Sequence, residues 1–482
     1  MEFEFRRETE DSSNSNSSVV HYSDPAFSVA KFEVIEKSRV SLMPVTNLEL
    51  HLKSGIGNIT TNTTTGENQK LLPTTDKCGG GTTIIDLPPA LISEILLCLE
   101  AKELGIISCV STFLHSIASE HQVWKKFYFE RWGAPFGSTL LGSSENSWKD
   151  MFVDREFRSK TYMGRFSMDV LYGHTEAVRS VFLLSSAKLI VTGGYDSVVR
   201  IWNMEEGLLV ASSRPLKCTI RAVTADSKLL VTGVTDGFLQ CWRASEGLSH
   251  LFDITSSQQD QNSEFRLWEH EGPITCLALD LARIYSGSWD MTVRIWDRLS
   301  LKCVKVLRHN DWVWSLVPRD STIASTAGVD MYVWDIDNGD LLAAIQNAHV
   351  GNTLSLARSH TGNLIFTGGD DGTINMFELF GHSTLLHGAT WSPHTGAVHS
   401  LAFEFPWLVS ASSDGKLSLI DIRRLLKSSQ RSLSRDLKRV NCSVSLSVEP
   451  PQRMLHGFGS NLFSVSIGSD RIILKSATGH AG

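Results

Sequence analysis

The chain has 482 residues, of which 42% are hydrophobic and 20% charged, with a formal net charge of −7. That is enough for a large core and more than one domain, and it lacks the basic excess on which nucleic-acid binding by charge rests. Eight cysteines (Cys78, Cys98, Cys109, Cys218, Cys241, Cys276, Cys303, Cys442) include no CxxC pair, which argues against a zinc site or a disulfide scaffold and fits a reducing compartment.

The amino terminus is charged, with no apolar stretch behind it, and no run reaches eighteen apolar residues. The sequence therefore predicts neither a signal peptide nor a membrane span, and places the protein in the cytoplasm, the nucleus or both. Residues 1–80 are rich in Ser, Asn, Thr and Gly, as in Ser12–Ser18 and Ile59–Thr65. Such a segment buries too little apolar surface to offset chain ordering, so the expectation is disorder. The apolar run from Phe27 to Val45 is read as part of that tail rather than as a docking peptide. Cys78-Gly-Gly-Gly81 reads as a hinge, since no Gly-Lys-Ser/Thr comes after it to make a phosphate loop.

At Asp86-Leu87-Pro88 the texture changes. A helix cap and first-turn prolines precede Leu91, Ile92, Ile95, Leu96 and Leu99 at helical spacing. Leu104, Ile107 and Val110 make a second short apolar face, Phe113, Leu114 and Ile117 a third, and Val123-Trp124 leads out. Residues 82–132 thus form a small helical module with more apolar surface than it can hide. Leu87-Pro88, the helix through Leu99, Leu104, Val110-Ser111 and Trp124 resemble an F-box. That resemblance implies docking to the Skp-type adaptor of a cullin–RING ubiquitin ligase, with Leu87, Pro88, Leu91, Ile95 and Leu99 as the adaptor-facing residues. Leu96, Ile107 and Phe113 are assigned to the core of the module. Residues 133–164 read as a helical connector. Trp132, Trp148, Met151, Phe152 and Phe157 are spaced to pack on the module at one end and on the first repeat unit beyond residue 165 at the other.

From residue 165 to 476 the chain repeats. A turn aspartate recurs at Asp196, Asp236, Asp290, Asp330, Asp371 and Asp414. A large apolar residue closes each following strand: Trp202, Trp242, Trp296, Trp334, Phe377 and Ile420. A histidine precedes the aspartate at His174, His270, His309, His349 and His394, and only the second unit lacks one. Four residues before the aspartate stands Thr192, Thr232, Ser286, Thr326, Thr367 or Ser410. A period near 40–45 with four strands per unit is the mark of a β-propeller. His, Ser/Thr, Asp and Trp at these places can hydrogen-bond in series and satisfy groups that a tight turn would bury. The pattern resembles the WD-repeat family, in which this tetrad is structural. The fold expected is mainly β: a seven-bladed WD-repeat propeller behind an all-α F-box and a disordered tail. His270, Ser286 and Asp290 have the residue types of a hydrolase triad, but the same trio in five units would demand five active sites.

The last blade is expected to be incomplete. Leu462–Ile467 and Arg471–Lys475 supply two strands and Phe166–Leu171 suits the outer one, so a third is missing. The polar stretch 256–263 is a loop insertion. Arg423 to Arg439, with seven basic residues and one acid, reads as a solvated basic face.

The residue just inside each innermost strand and the one before each turn aspartate should share one rim. The first set is Arg179, Arg221, Thr275, Trp314, Leu354 and His399, with Trp312 beside it. The second is Tyr195, Thr235, Trp289, Val329, Asp370 and Ser413. Trp, Tyr and Arg at a rim are what protein-binding surfaces use, and Arg179 with Arg221 could hold a phosphate or carboxylate. An F-box before WD repeats resembles ligase receptors that capture a protein substrate, some through a phosphorylated segment. The chain then performs no chemistry and needs no cofactor or metal. Two other readings stand beside it. One is a scaffold or reader outside any ligase. The other is a receptor of the second large cullin class, which uses a Trp-Asp-x-Arg ending; here only Ile420-Asp-Ile-Arg423 keeps the final arginine.

Overall fold

A computed structural model describes residues 31–37, 87–119, 121–133, 147–164, 166–245, 251–255, 264–381, 383–423, 425–426, 450, 452–458, 460–468 and 471–477. Its strands form four-stranded antiparallel sheets. Six of these are built from consecutive strands. Blade 1, for example, runs Val178–Leu184, Leu189–Gly194, Val199–Asn203 and Leu209–Ser212. Blades 2 to 6 have innermost strands Ile220–Ala225, Ile274–Leu279, Val313–Arg319, Thr353–Arg358 and Val398–Glu404. Innermost strands pack on one another around the ring. Serine hydroxyls link them: Val223 N–H donates to Ser180 Oγ at 3.0 Å, and Val465 N–H to Ser400 Oγ at 3.1 Å.

The seventh sheet differs. Its strand order is Ser460–Ile467, Ile472–Ala477, Lys31–Lys37, Phe166–Tyr172. Phe166–Tyr172 is the outer strand as expected, but the third strand is not missing. Lys31–Lys37 supplies it, pairing with Phe166–Tyr172 on one side and Ile472–Lys475 on the other. This corrects the expectation of disorder for that stretch of the tail. The physical reason is that Phe32, Val34 and Ile35 favour extended chain, while the edges they pair with lie far away in sequence. The rest of residues 1–80, the basic stretch beyond Leu426 and the insertion at 256–263 fall outside the described residues.

The helical module comprises α1 (Pro89–Leu97), α2 (Ala101–Ile107), α3 (Thr112–Ala118) and α4 (His121–Trp132), followed by α5 (Trp148–Ser159). Proline at the start of α1 costs nothing, because its missing N–H would have no partner there. Ser111 caps α3 by accepting from Leu114 N–H, and a Ser147–Asp150 capping box opens α5. One buried cluster joins Ile92, Leu96, Leu104, Leu114 and Ile117 to Trp124, Tyr128, Trp132, Trp148 and Phe152.

Connector and propeller are locked together. Trp132 Nε1 donates to Phe405 O at 2.9 Å, and Trp407 Nε1 to Ser159 O at 2.6 Å. Arg155 pairs with Glu404, and Arg423 spans Asp421 and Glu156. The connector therefore meets blade 6, not the first repeat. Phe157, expected to pack, is 62% exposed instead.

Candidate protein-interaction surfaces

The tetrads form in two blades with all four members. Trp202 Nε1 donates to Thr192 Oγ1 at 2.9 Å, Thr192 Oγ1 meets His174 Nε2 at 2.8 Å, and His174 Nδ1 meets Asp196 at 2.7 Å. Trp296, Ser286, His270 and Asp290 repeat this at 2.9, 2.7 and 2.6 Å. Burial would raise the Asp290 carboxyl, but hydrogen bonds from His270 and Thr292 outweigh it and hold it down at about 2. Burial keeps His174 below the ordinary histidine range, so the neutral ring donates from Nδ1 and accepts at Nε2. Blades 5 and 6 keep the His349–Thr367 and His394–Ser410 bonds, with Phe377 and Ile420 filling the tryptophan's place. Ser286 is 0% exposed. No substrate carbonyl can reach it, which removes the triad reading.

Blade 4 departs from expectation. Its tetrad hydroxyl is Ser325, not Thr326: Trp334 Nε1 donates to Ser325 Oγ at 3.1 Å, and His309 Nε2 meets it at 2.8 Å. In regular blades the hydroxyl residue lies two places after the residue opposite the tryptophan, as Thr192 follows Ile190, which pairs with Trp202. Trp334 pairs with Ile323, so the same rule lands on Ser325. The hairpin is shorter, Asp330 opens a strand instead of sitting in the turn, and counting from the aspartate misleads by one residue. Thr326 Oγ1 is left buried without a partner among the described residues.

On the helical module, α1 divides cleanly. Ile92 and Leu96 are buried, while Leu91 and Ile95, one turn apart on the adjoining face, are exposed, as are Leu87 and Pro88. Leu99 lies past the helix end, half-buried against the core. Phe113, assigned to the core, is instead exposed, together with Ile106 and Val110. The i, i+4 spacing reveals which residues share a face, but not which face a neighbour covers.

The rim has one structural cause. In six sheets the register between the innermost strand and its neighbour shifts across a single residue, and in the seventh it shifts twice, across Asn461 and across Phe463. Those residues are Arg179, Arg221, Thr275, Trp314, Leu354, His399 and, in the seventh sheet, Phe463. Such a bulge leaves one residue outside the ladder and re-aims its side chain. The first six were legible from the repeat; Phe463 was missed because its blade carries no turn aspartate or histidine. A signal existed in Leu462-Phe-Ser-Val465, which matches Val178-Arg-Ser-Val181 and Val398-His-Ser-Leu401.

These side chains gather into two groups. Arg179 and His399 both lie against Phe463, at 5.0 and 5.2 Å between group centres. The Arg221 guanidinium lies 4.2 Å from the centre of the Trp289 ring, which stacks on Trp312 at 4.9 Å and meets Trp314 edge-on at 6.0 Å. Tyr195 is 49% exposed and Trp312 44%. Burial, then the charge of Arg179, brings Arg221 down to about 10, which ties the two arginines into one field. His399 is lowered to about 4 by burial and by Arg179. No group of metal-binding side chains occurs among the described residues.

Comparison with known proteins gives a consistent picture. The F-box-like family profile matches residues 84–130, and the WD domain, G-beta repeat profile matches 166–203, 261–297, 341–378 and 387–421. The F-box/WD-40 repeat-containing protein At5g21040 of Arabidopsis thaliana is 63% identical over 404 residues, covering 83% of this chain and 74% of that protein. The human F-box/WD repeat-containing protein 9 is 25% identical over 223 residues, covering 44% and 38% respectively. The WD40 β-propeller domain of Doa1 aligns with a TM-score of 0.49 at 17% identity, over 64% of this chain and 94% of that one.

Proposed function

This chain belongs to the F-box/WD-40 repeat family, and from that premise we propose that it is the substrate-receptor subunit of an F-box-type cullin–RING ubiquitin ligase. The observation that carries the proposal is the split of α1. Its buried face completes the module's own core, so the apolar residues Leu87, Pro88, Leu91 and Ile95 are left for a partner, here the Skp-type adaptor. The connector contacts fix this face relative to the propeller. A receptor works by holding its cargo at a set distance from a charged ubiquitin carrier, which raises local concentration without chemistry of its own. The cargo is a protein captured at the rim around Tyr195, Trp289, Trp312 and Trp314.

The test is co-purification. Leu91→Asp with Ile95→Asp places two charges on the exposed face, where the fold should be little affected. The double variant should lose the Skp-type adaptor, and with it the cullin and RING protein, while keeping its melting temperature and rim-captured proteins. Full retention of the adaptor would overturn the receptor reading in favour of a scaffold. The second cullin class is disfavoured by one observation. Arg423, the basic residue of its expected motif, is engaged by Asp421 and Glu156.

A further inference from the structure

Lys475, on the second strand of the seventh sheet, is 1% exposed, and its Nζ has no hydrogen-bond partner among the described residues. The amine lies 4.5 Å from the centre of the Phe463 ring, and the Arg179 guanidinium of blade 1 rests on the same ring at 5.0 Å. Arg179 is the charged group that acts on the amine, and no carboxylate acts on either of them. His399, which also lies against Phe463, and His174 feel the charge of Lys475, and burial keeps both rings neutral. A buried cation without an acceptor is costly, and here it stands beside a like charge.

No other blade has this arrangement. The counterparts of Lys475 opposite the bulge are Gly193, Gly233, Gly287, Thr326, Gly368 and Ala411. They are small because the next blade closes over them; a Cβ on Gly193 would stand 2.5 Å from Ile220. In the seventh sheet the same seam faces the innermost strand of blade 1 and takes a whole lysine side chain. Loss of water and a neighbouring cation are the two conditions that hold a lysine as its free, nucleophilic amine. Burial first, then Arg179, brings the Lys475 ammonium well below its ordinary range.

An amine so enclosed reacts only with what can reach it. Bulky or charged electrophiles are kept out, whereas carbon dioxide is small and uncharged and incurs little cost on leaving water. We propose that Lys475 is a carbamylation site, where the ε-amine takes up carbon dioxide as a carbamate that pairs with the Arg179 guanidinium. The amine lone pair attacks the carbon, one C–O π pair moves onto oxygen, and an amine proton leaves to water. Nothing is oxidised or reduced. The product carries a negative charge with two oxygens, the acceptor geometry that a guanidinium fork matches. Two like charges in one seam thereby become an ion pair, and the Phe463 group of the rim becomes responsive to dissolved carbon dioxide.

The experiment equilibrates the full chain, in complex with its adaptor, with carbon-13-labelled carbon dioxide at pH 8. The carbamate carbon is followed by NMR, then fixed by O-alkylation and located by peptide mass spectrometry. A saturable adduct on Lys475 is expected. It should be absent from Lys475→Met and from Lys475→Arg, which keeps a cation without the primary amine, with melting temperatures confirming that each variant is folded. Arg179→Gln should need about tenfold more carbon dioxide for the same occupancy, as loss of one charge-assisted pair implies. An unmodified Lys475 in the folded parent chain, or a resonance that survives in Lys475→Arg, overturns the site. Equal occupancy in Arg179→Gln overturns the pairing on which it depends. The adduct is read directly on the chain, whatever the rim captures, so its failure leaves the receptor reading in place.

Discussion

Phe32 stands opposite Lys475 in the seventh sheet, so chain from before the F-box and chain from the end of the propeller share one ladder. Lys31–Lys37 is the third strand of that sheet and Phe166–Tyr172 the fourth. The F-box and its connector are therefore an insertion between two strands of one blade. At its carboxyl end the module leads into the outer strand of this sheet, and α5 is held by Glu404, Arg423 and Trp407 of blade 6. These contacts fix the helical module against blade 6.

Breaking the closing strand should open the ring. Val34 pairs with Asp169 on one side and Ile473 on the other. Proline there removes a ladder N–H and is not tolerated between two paired strands, leaving a carbonyl unsatisfied at a cost of about 1–3 kcal/mol. Val34→Pro should lower the urea midpoint of the propeller and expose residues 166–172 to protease. An unchanged midpoint would show that the ring closes without this strand.

The fourth blade offers a paired comparison. Ser325→Ala strands the buried His309 Nε2 and Trp334 Nε1 and should cost about 1–3 kcal/mol. Thr326→Val removes a buried hydroxyl that has no partner and should be neutral or stabilising. Denaturant melts of the two variants decide the assignment. The reverse order of stabilities would restore Thr326 as the tetrad member.

Stability should also report on Lys475. Burial first, then the charge of Arg179, lowers its ammonium to about 7 from an ordinary 10.5. Between these values the unfolded chain binds a proton that the folded chain does not, so stability rises with pH across that window. Below about 7 both states are protonated and the cost is fully present. Arg179 stays charged throughout, and His399, lowered to about 4, stays neutral. Lys475→Met should thus exceed the parent chain in melting temperature at pH 6.5, with the gap closing toward pH 10. Parallel pH profiles for parent and variant would remove Lys475 as the titrating group.

What the amino-acid sequence determined by itself was everything repeated at short range. His270, Ser286, Asp290 and Trp296 lie within one hairpin and its entry loop, so their spacing alone specifies which atoms meet. The bulge residues from Arg179 to His399 were legible for the same reason, because one register recurs blade after blade. Tertiary structure alone decided where local spacing carries no information. The helical period marks Leu91 with Ile95 and Ile92 with Leu96, but only packing against Trp124 and Leu114 selects the second pair for the core. Phe113 and Phe157 were assigned inward because nothing local shows that their faces stay uncovered. Lys31–Lys37 has no neighbour in sequence with which to pair, since its hydrogen bonds are satisfied by strands separated from it by whole domains. The register of Phe32 with Lys475, beside Phe463, exists only in that ladder.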